Sequence, residues 1–340
     1  MKAVTTVGID LAKSSLEVVG LDEDQRVILR KRLKRCEVAA FFTNLPRCKV
    51  AIEACGGSHY WARLLCSQGH EVRIIAAQFV KPFVKSQKND RNDALAIAEA
   101  SLRPSMHFVA IKESWQQDLQ CLHRVRERLQ AQRVQIMNQV RGLLLEYGVV
   151  IGEGVTAFKR ELPSIVETSD NGLSEILRKL VVALSKDLKT LDERKLELDG
   201  QLEQMAKENE ECKRLMGVPG VGPLISTAFV AAIGDPRTFK NGRQVGAWLG
   251  LVPRQHSSGE RQVLLGITKR GDVYLRALLT HGARSIVNHA KTAKKPTSLH
   301  EWVKKLEERR GTNRAVIALA NRNARVMWAL MKDKTTYKVA

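Results

Sequence analysis

The chain has 340 residues, 44% of them hydrophobic, which suits about two globular domains. Lys and Arg number 56 against 36 Asp and Glu, and the net charge of +20 favours a polyanionic partner, nucleic acid before an anionic membrane surface. No apolar run is long enough to span a membrane, and the N-terminus lacks a signal-peptide core. The six cysteines form no CxxC pair and lie beside no His at ligand spacing, which argues against disulfides or zinc and predicts free thiols in a reducing cytoplasm.

The charge is unevenly distributed along the chain. Residues 1–110 carry a net +6, residues 111–210 a net −2 and residues 211–340 a net +16. The attraction for a polyanion is therefore concentrated in the C-terminal third. The hydrophobic pattern changes near the same positions, and we predict an α/β domain, a coiled-coil region and a basic helical domain in this order.

The first segment alternates short strands with helices, as an α/β layer domain does. Apolar runs predict strands at Val4–Asp10, Ser15–Leu21, Val27–Leu33, Lys49–Glu53 and Glu71–Ala76. The first three follow one another closely and predict a meander at one edge of the sheet. Helices are expected at Val38–Leu45 and Tyr60–Gln68.

The middle segment predicts two long amphipathic helices with heptad spacing. The first series is Leu122, Leu129, Ile136 and Leu143, with Val125, Val140 and Tyr147 near the other seam position. The second series is Leu177, Leu184, Leu191, Leu198 and Met205, after a Gly- and Pro-containing link at Gly148–Gly172. The helices could pair within the chain as an antiparallel hairpin or between chains, and their near-zero net charge fits a protein seam better than a DNA face.

The basic segment begins with a glycine turn, LMGVPGVGPLISTAFVAAIGD, that resembles a helix-hairpin-helix. Gly220 and Gly222 would let backbone N–H groups and a helix N-terminus approach a phosphate, or they form an ordinary turn between packed helices. The following residues show little periodicity up to Val273, and a last apolar helix is expected at Arg314–Met331.

Four carboxylates are placed where a sheet and a helix could bring them together. Asp10 ends the first strand and Glu53 ends a later one. Asp90 and Asp93 lie three residues apart, hence on one face of a helix, although both could simply cap a helix that starts near Ala94. Four clustered negative charges require cations, and Mg²⁺ suits such an oxygen ligand set. Two such ions about 4 Å apart could support phosphodiester cleavage.

Three motifs carry these acids in order: VGIDLAKSSLEV, AIEACGGSHYWARLL and KNDRNDALAIAEA. They resemble the DEDD-type, RuvC-like domain of the one-ten family of insertion-sequence transposases, and its eleven-eleven subgroup in particular. GLVPRQHSSG followed by GITKRGDVYLRALL is similar to the family's second block, so the resemblance spans nearly the whole chain. It implies a ribonuclease-H-like α/β domain in residues 1–110, coiled-coil helices in 111–210 and a mainly helical transposase domain in 211–340. The implied catalytic and metal-binding tetrad is Asp10, Glu53, Asp90 and Asp93.

The resemblance also implies a serine nucleophile in the second block. The serine directly before Gly259 aligns best with the family pattern, which favours Ser258 over the adjacent Ser257. A serine hydroxyl needs a base or a metal to activate it, and cations to hold the phosphate. His256 is either a proton relay or an ordinary surface residue. Four basic residues are close enough in sequence to contact the phosphate: Arg254, Arg261, Lys269 and Arg270.

For the whole protein, the resemblance implies Mg²⁺-dependent cleavage and exchange of DNA strands through a covalent DNA–serine intermediate. A structured non-coding guide RNA would pair with donor and target DNA, and the lack of a zinc finger or basic zipper agrees with such delegated recognition. The family assembles as tetramers, which would give the heptad helices a role in holding chains together. The expected location is the cytoplasm, with the nucleoid.

Other functions remain open at this stage. A metal-dependent nuclease, such as a junction resolvase, would use the four carboxylates with water as the nucleophile, but it leaves the basic serine block without a task. A non-catalytic protein that only binds nucleic acid would have the same positive charge, since the neutralisation of phosphates does not require catalysis. An actin-like ATPase is disfavoured because the chain lacks a nucleotide-binding glycine motif.

Overall fold

A computed structural model describes residues 3–85, 89–259 and 261–338. The chain divides into two compact units, one formed by Met1–Gln116 with Ile233–Lys240 and the other by Gln117–Ala232 with Asn241–Ala340. Most of the heptad segment and most of the basic segment share the second unit, so the three-part division expected from the sequence remains a prediction. In the part of the chain that the structure describes, no helix is both long and apolar enough to cross a membrane.

The described residues of the first unit form a six-stranded mixed sheet with the order β3-β2-β1-β4-β5-β6. The strands are β1 (Thr6–Leu11), β2 (Ser15–Leu21), β3 (Val27–Lys34), β4 (Lys49–Glu53), β5 (Glu71–Ile75) and β6 (Phe108–Val109). β1, β2 and β3 pair antiparallel, whereas β4 runs parallel to both β1 and β5. The predicted meander is confirmed, and the mixed sheet is consistent with a ribonuclease-H-like domain.

Four helices accompany this sheet in the described residues: α1 (Val38–Thr43), α2 (Ser58–Ser67), α3 (Ala77–Val80) and α4 (Asp90–Ser101). α4 packs on β1 and β2. The side chain of Asn89 caps α4 by accepting a hydrogen bond from the N–H of Asn92 at 2.9 Å. Asp90 and Asp93 thus lie on the helix, as their spacing predicted, and the alternative that they only cap a helix from Ala94 is excluded because the helix begins at Asp90.

Gly8 in β1 lets α4 approach the sheet very closely. A Cβ atom at this position would lie 2.1 Å from the carbonyl O of Ala94 and 2.7 Å from the amide N of Ala98. Only a hydrogen atom fits this space. Because β1 carries Asp10 and α4 carries two further acids, this contact sets the spacing between strand and helix carboxylates.

The rest of the described chain is mainly helical. The helices are α5 (Ser114–Leu145), α6 (Gly154–Glu167), α7 (Glu175–Glu208), α8 (Glu210–Met216), α9 (Pro223–Ile233), α10 (Gly242–Trp248), α11 (Val273–Thr292), α12 (Ser298–Arg310) and α13 (Thr312–Asp333). The strands β7 (Pro253–Gln255) and β8 (Leu264–Ile267) form an antiparallel hairpin. α13 packs against α8, α10, α11 and α12, so the predicted last apolar helix is the centre of this part of the unit.

α5 and α7 pair antiparallel within the chain. Arg126 on α5 forms an ion pair with Asp199 on α7, and seven residues further along α5 Arg133 pairs with Asp192. Residue numbers therefore increase along one helix in the direction in which they decrease along the other. An apolar cluster packs the C-terminal part of α5 against the N-terminal part of α7 and against α6. Of the two pairings that the heptads allowed, the structure has the internal hairpin.

The predicted seam of α5 is confirmed in part. Leu129 and Val140 are buried, and the other three residues of the first predicted series are half-buried against apolar clusters: Leu122, Ile136 and Leu143. Val125 and Tyr147, expected near the seam, are both 45% exposed. The inward face also contains His123, Arg126 and Arg133, which an apolar pattern does not indicate. The Gly148–Gly172 link is not a plain loop either, since it contains α6 with Pro163 inside the helix.

Replacing Gly8 by Ala should displace α4 from β1 and lower the free energy of unfolding by about 2 kcal/mol or more, since the new methyl group would meet backbone atoms. Urea unfolding measures this effect. Gly200→Ala in α7 is the matched control, because no atom lies within 4 Å of its Cβ position, and it should be neutral or stabilise by up to ~1 kcal/mol. Equal effects of the two substitutions would contradict the close packing of α4 on β1.

Candidate active site

The carboxylates of the first unit meet near the C-terminal ends of β1 and β4. These strands are parallel and pair Ile9 with Ile52, so Asp10 and Glu53 follow at the same edge of the sheet. α4 packs on β1 and carries its two acids in its first turn, where the positive end of the helix dipole favours negative charge. The structure thus brings strand-end and helix acids to one place, as the sequence pattern predicted.

The four charges interact with one another. The pKa of Asp10 rises from its usual 3.8 to about 6, first because its carboxyl is half-buried, and then because the charges of Asp93, Asp90 and Glu53 lie near it. A hydrogen bond from the backbone N–H of Leu11 opposes this rise. The neighbouring carboxylates therefore make ionisation of Asp10 less favourable.

Cys55 is a neighbour of this cluster that the sequence pattern did not single out. Burial raises the pKa of its thiol, and the nearby charges of Glu53 and Asp10 raise it further. At neutral pH the group is therefore a neutral thiol that adds no negative charge to the cluster. The other cysteines in the structure are also free thiols, as expected.

The donor set fits a hard divalent cation by its chemistry. All four side chains offer carboxylate oxygens, and a positive ion would relieve their mutual repulsion. As the side chains stand, the described residues contain no group of three Asp, Glu, His or Cys side chains placed to hold a metal ion. Binding would require these side chains to rotate toward one another, which their half-buried or exposed positions allow.

Ser258 lies at the tip of the hairpin formed by β7 and β8. Its N–H donates to the carbonyl O of Arg261 at 3.3 Å, and the N–H of Arg261 donates back at 3.2 Å, which closes a tight turn containing Gly259 at φ +54°. The N–H of His256 donates to the carbonyl O of Val263 at 3.0 Å and adds a rung below the turn. The serine is therefore presented by an ordered hairpin, which the apparent lack of periodicity concealed. The signal was the Ser-Gly turn before the apolar run VLLGI.

The two candidate serines differ in their hydroxyl contacts. The Oγ of Ser257 accepts a hydrogen bond from the Nε2 of Gln255 at 3.0 Å. Within the described residues, the Oγ of Ser258 makes no hydrogen bond. The hydroxyl of Ser258 is therefore the freer of the two.

The basic residues predicted to contact phosphate surround this hairpin. Arg254 lies on β7 and Arg261 flanks the tip, while Lys269 and Arg270 follow β8. All four side chains are exposed, and so is His256. Two cations therefore share the hairpin with the serine, and the other two lie at its base.

The base of the hairpin is tightly fixed. Gly250 has φ +70° and Gly271 has φ +76°, and a Cβ on either would lie 2.3 or 1.9 Å from a carbonyl O of the facing segment. Arg276, which is buried, donates to the carbonyl O of Leu249 at 3.0 Å and to that of Arg270 at 2.8 Å. The GITKRGD motif thus holds the base of the hairpin in place through close backbone packing and hydrogen bonds. The sequence pattern did not indicate Arg276; an arginine among the leucines of VYLRALL was the available signal.

The predicted helix-hairpin-helix turn joins α8 to α9. Gly220 has φ +82° and packs against α11, where a Cβ would lie 2.7 Å from the carbonyl O of Gly282. The carbonyl O of Pro219 accepts a hydrogen bond from Asn323 at 2.9 Å. Gly222 has open space at its Cβ position. Internal packing accounts for Gly220, and a phosphate contact by this turn stays a prediction.

A buried histidine links α5 to the helices beside the hairpin. The ring nitrogens of His123 lie 3.0 Å from the hydroxyl of Thr227 on α9 and 3.0 Å from that of Tyr274 on α11. Burial, and then the charge of Arg126, lower the pKa of His123 to about 4. The imidazole is therefore neutral at physiological pH and acts as a structural link.

Comparison with known proteins relates both candidate regions to one family. A profile described as the transposase IS116/IS110/IS902 family matches residues 212–298, and a transposase profile named for the DEDD domain of IS110 matches residues 7–149. A probable family 20 transposase of Pseudomonas aeruginosa is 45% identical over 98% of this chain and 99% of its own. The transposase for insertion sequence element IS1111A of Coxiella burnetii is 44% identical over 99% of this chain and 92% of its own. The transposase for IS1328 of Yersinia enterocolitica is 38% identical over 99% of each chain.

Asp10→Asn should raise the Tm of the metal-free protein by about 2 °C at pH 7.5, since solvent screening leaves only part of the repulsion. The folded-state pKa of about 6 lies above the usual 3.8, so the fold loses stability as pH rises through this range and Asp10 ionises. Thermal unfolding with and without EDTA measures both effects. Mg²⁺ should raise the Tm of the unchanged protein and have little effect on Asp10→Asn.

The control for this experiment is Asp187→Asn, an exposed acid on α7 outside the cluster. It should leave the Tm and its response to Mg²⁺ unchanged. A Tm for Asp10→Asn below that of the unchanged protein in EDTA would contradict the inferred repulsion.

Proposed function

The chain belongs to the IS116/IS110/IS902 family of insertion-sequence transposases, and we propose that its carboxylate cluster and Ser258 both take part in the cleavage and joining of DNA. Transposases cut and join DNA, and the family profile named for DEDD points to a requirement for divalent metal. Our proposal concerns the identity of that metal, the nucleophile and the means by which target DNA is chosen.

The metal is proposed to be Mg²⁺, held by Asp10, Glu53, Asp90 and Asp93. When bound, it would neutralise charge that develops on the attacking and leaving oxygens of the phosphodiester. The carboxylates would fix its position relative to the sheet, because two of them lie at the C-terminal ends of parallel strands and two in the first turn of α4. The observation that carries this assignment is the convergence of Asp10 and Glu53, at matched positions of two parallel strands, with the acids in the first turn of α4.

Ser258 is proposed to attack the phosphorus with its Oγ and lose its proton to a base. The bond from phosphorus to one deoxyribose oxygen breaks. One fragment of the cut strand is then joined to the serine through its phosphate, and the other fragment leaves with a free hydroxyl. Attack by a hydroxyl of a second strand then releases the serine and joins the two strands. Each step exchanges one phosphoester for another, so no nucleotide is consumed.

Side chains of the hairpin would assist this exchange. Arg254 and Arg261 are exposed on the same hairpin and would hold the nonbridging phosphate oxygens. Lys269 and Arg270 would extend this cationic surface at the hairpin base. His256 lies two residues before the serine and is the proposed proton acceptor. Among the residues that the structure describes, the hydroxyl of Ser258 has no hydrogen-bond partner whereas that of Ser257 has one, which supports the choice of nucleophile.

Target choice is proposed to depend on a non-coding RNA from the element that pairs with donor and target DNA. Strand exchange would then take place in an assembly of two to four chains. The apolar seams of α5 and α7 face each other within one chain, so contacts between chains would use other faces of these helices. The net charge of +20 supports a complex rich in nucleic acid.

A protein–DNA adduct tests the nucleophile. DNA carrying an element end is incubated with the protein, the flanking RNA and Mg²⁺, and the products are separated under denaturing conditions. The unchanged protein and Ser257→Ala should form an adduct, whereas Ser258→Ala and Asp10→Asn should each reduce it to below about 1%. The conservative Ser257→Ala exchange is the matched control.

Two results would favour other functions. Adduct formation undiminished in Ser258→Ala would overturn the nucleophile assignment. Mg²⁺-dependent cleavage that persists in Ser258→Ala without any adduct would identify water as the nucleophile, as in a junction resolvase.

A further inference from the structure

A wide groove in the second unit lies beside the stem of the serine hairpin. Its volume is about 1340 Å³, above the roughly 300–1,000 Å³ of a small-molecule site. Leu265 and Ile267 of β8 line it together with Ile317 of α13 and Trp302 of α12. Its size suits a segment of a polymer better than a compact metabolite.

The groove is strongly cationic. Four arginines line it: Arg243, Arg314, Arg322 and Arg325. Among the described residues, no Asp or Glu lines the groove. One guanidinium nitrogen of Arg322, Nη1, is buried without a hydrogen-bond partner in the described structure. A buried N–H without an acceptor costs free energy in the unbound protein.

The groove also offers aromatic and apolar surface to a ligand. Trp302 is 40% exposed and Leu265 is 48% exposed, although both are large hydrophobic side chains. Nucleic-acid bases stack on such aromatic surfaces when they are not paired in a double helix. A row of arginines beside an exposed tryptophan is the combination that single strands require, with phosphates on the cations and bases on the ring.

We propose that this groove binds a single-stranded nucleic-acid segment, with phosphates on its arginines and a base stacked on Trp302. The direction of this segment rests on the proposed function: β8 lines the groove and the same hairpin carries Ser258 at its tip, so a strand in the groove would lead to the nucleophile. DNA and RNA share the chemistry that the groove recognises, and the experiment separates them.

Fluorescence anisotropy with labelled 12-nucleotide DNA or RNA, single-stranded or duplex, tests the full-length protein in EDTA. Single strands should bind more tightly than duplexes. Trp302→Ala should weaken single-strand binding at least about five-fold, with little change in its salt dependence, because stacking releases no counterions. Trp302→Phe should restore part of the affinity, which separates stacking from a general folding defect.

A paired charge experiment tests the arginines. The double variant Arg314→Gln/Arg325→Gln should reduce the slope of log affinity against log salt by about 1.4, since each lost phosphate contact contributes about 0.7 for a single strand. The control is Arg284→Gln/Arg309→Gln, which removes two exposed arginines of α11 and α12 outside the groove. It should leave the slope nearly unchanged.

The outcomes distinguish the groove from the serine chemistry. These measurements use no metal and are repeated in Ser258→Ala, so a failed adduct experiment leaves them intact. A preference for one oligonucleotide type identifies the ligand as DNA or RNA. Unchanged binding in both groove variants would overturn the proposal, even if adduct formation proceeds normally. Trp302→Ala that alters sedimentation of the protein but not oligonucleotide binding would also overturn it and show a contact between chains.

Discussion

Mutual repulsion among carboxylates is the constraint on which the first unit depends. Asp10 and Glu53 are held together by the parallel register of β1 and β4, and α4 adds two more acids against that edge. Every charge brought to this edge raises the cost of ionising Asp10. Burial of apolar side chains elsewhere in the sheet offsets this cost, since Val7, Ile9 and Ile52 are fully buried. A cluster of carboxylates held close together in spite of the repulsion between their charges is typical of a functional site.

In the second unit, the hydroxyl of Ser258 is exposed to solvent but lies on a hairpin whose base and tip are held by packing and hydrogen bonds. Two glycines and the buried Arg276 fix the base of the hairpin, and backbone hydrogen bonds close its tip. Next to the base of the hairpin, Tyr274 of α11 contacts His123 of α5. α5 in turn is tied to α7 by buried or half-buried ion pairs. The hairpin is thus connected through polar contacts to the longest helices of the unit.

The sequence predicted most of the first unit because its strands are short apolar runs separated by turns. β2 and β4 have the predicted bounds, and the convergence of Asp10 and Glu53 followed from two strands ending beside each other. The spacing of Asp90 and Asp93 correctly placed both on one helix, whereas the cap itself is Asn89, which the sequence analysis did not single out. The position of side-chain oxygens relative to a metal depends on rotamers, which no spacing in the sequence encodes.

Prediction was weaker where polar residues perform structural tasks. The heptads of α5 correctly indicated a long paired helix, but Arg126 and Arg133 occupy its seam, and an apolar pattern does not register them. The serine hairpin has strands too short for alternation to be recognised. Its order depends instead on Gly250, Gly271 and the carbonyl groups that Arg276 binds.

Gly8 has a consequence for how related genes are interpreted. A related sequence can keep all four carboxylates and still have lost the glycine beside them. The carbonyl O of Ala94 leaves no room for any side chain at this strand position. In such a protein α4 would have to move away from β1, so the acids of the helix would no longer lie beside those of the strands, and the four acids by themselves are not evidence of an intact cluster.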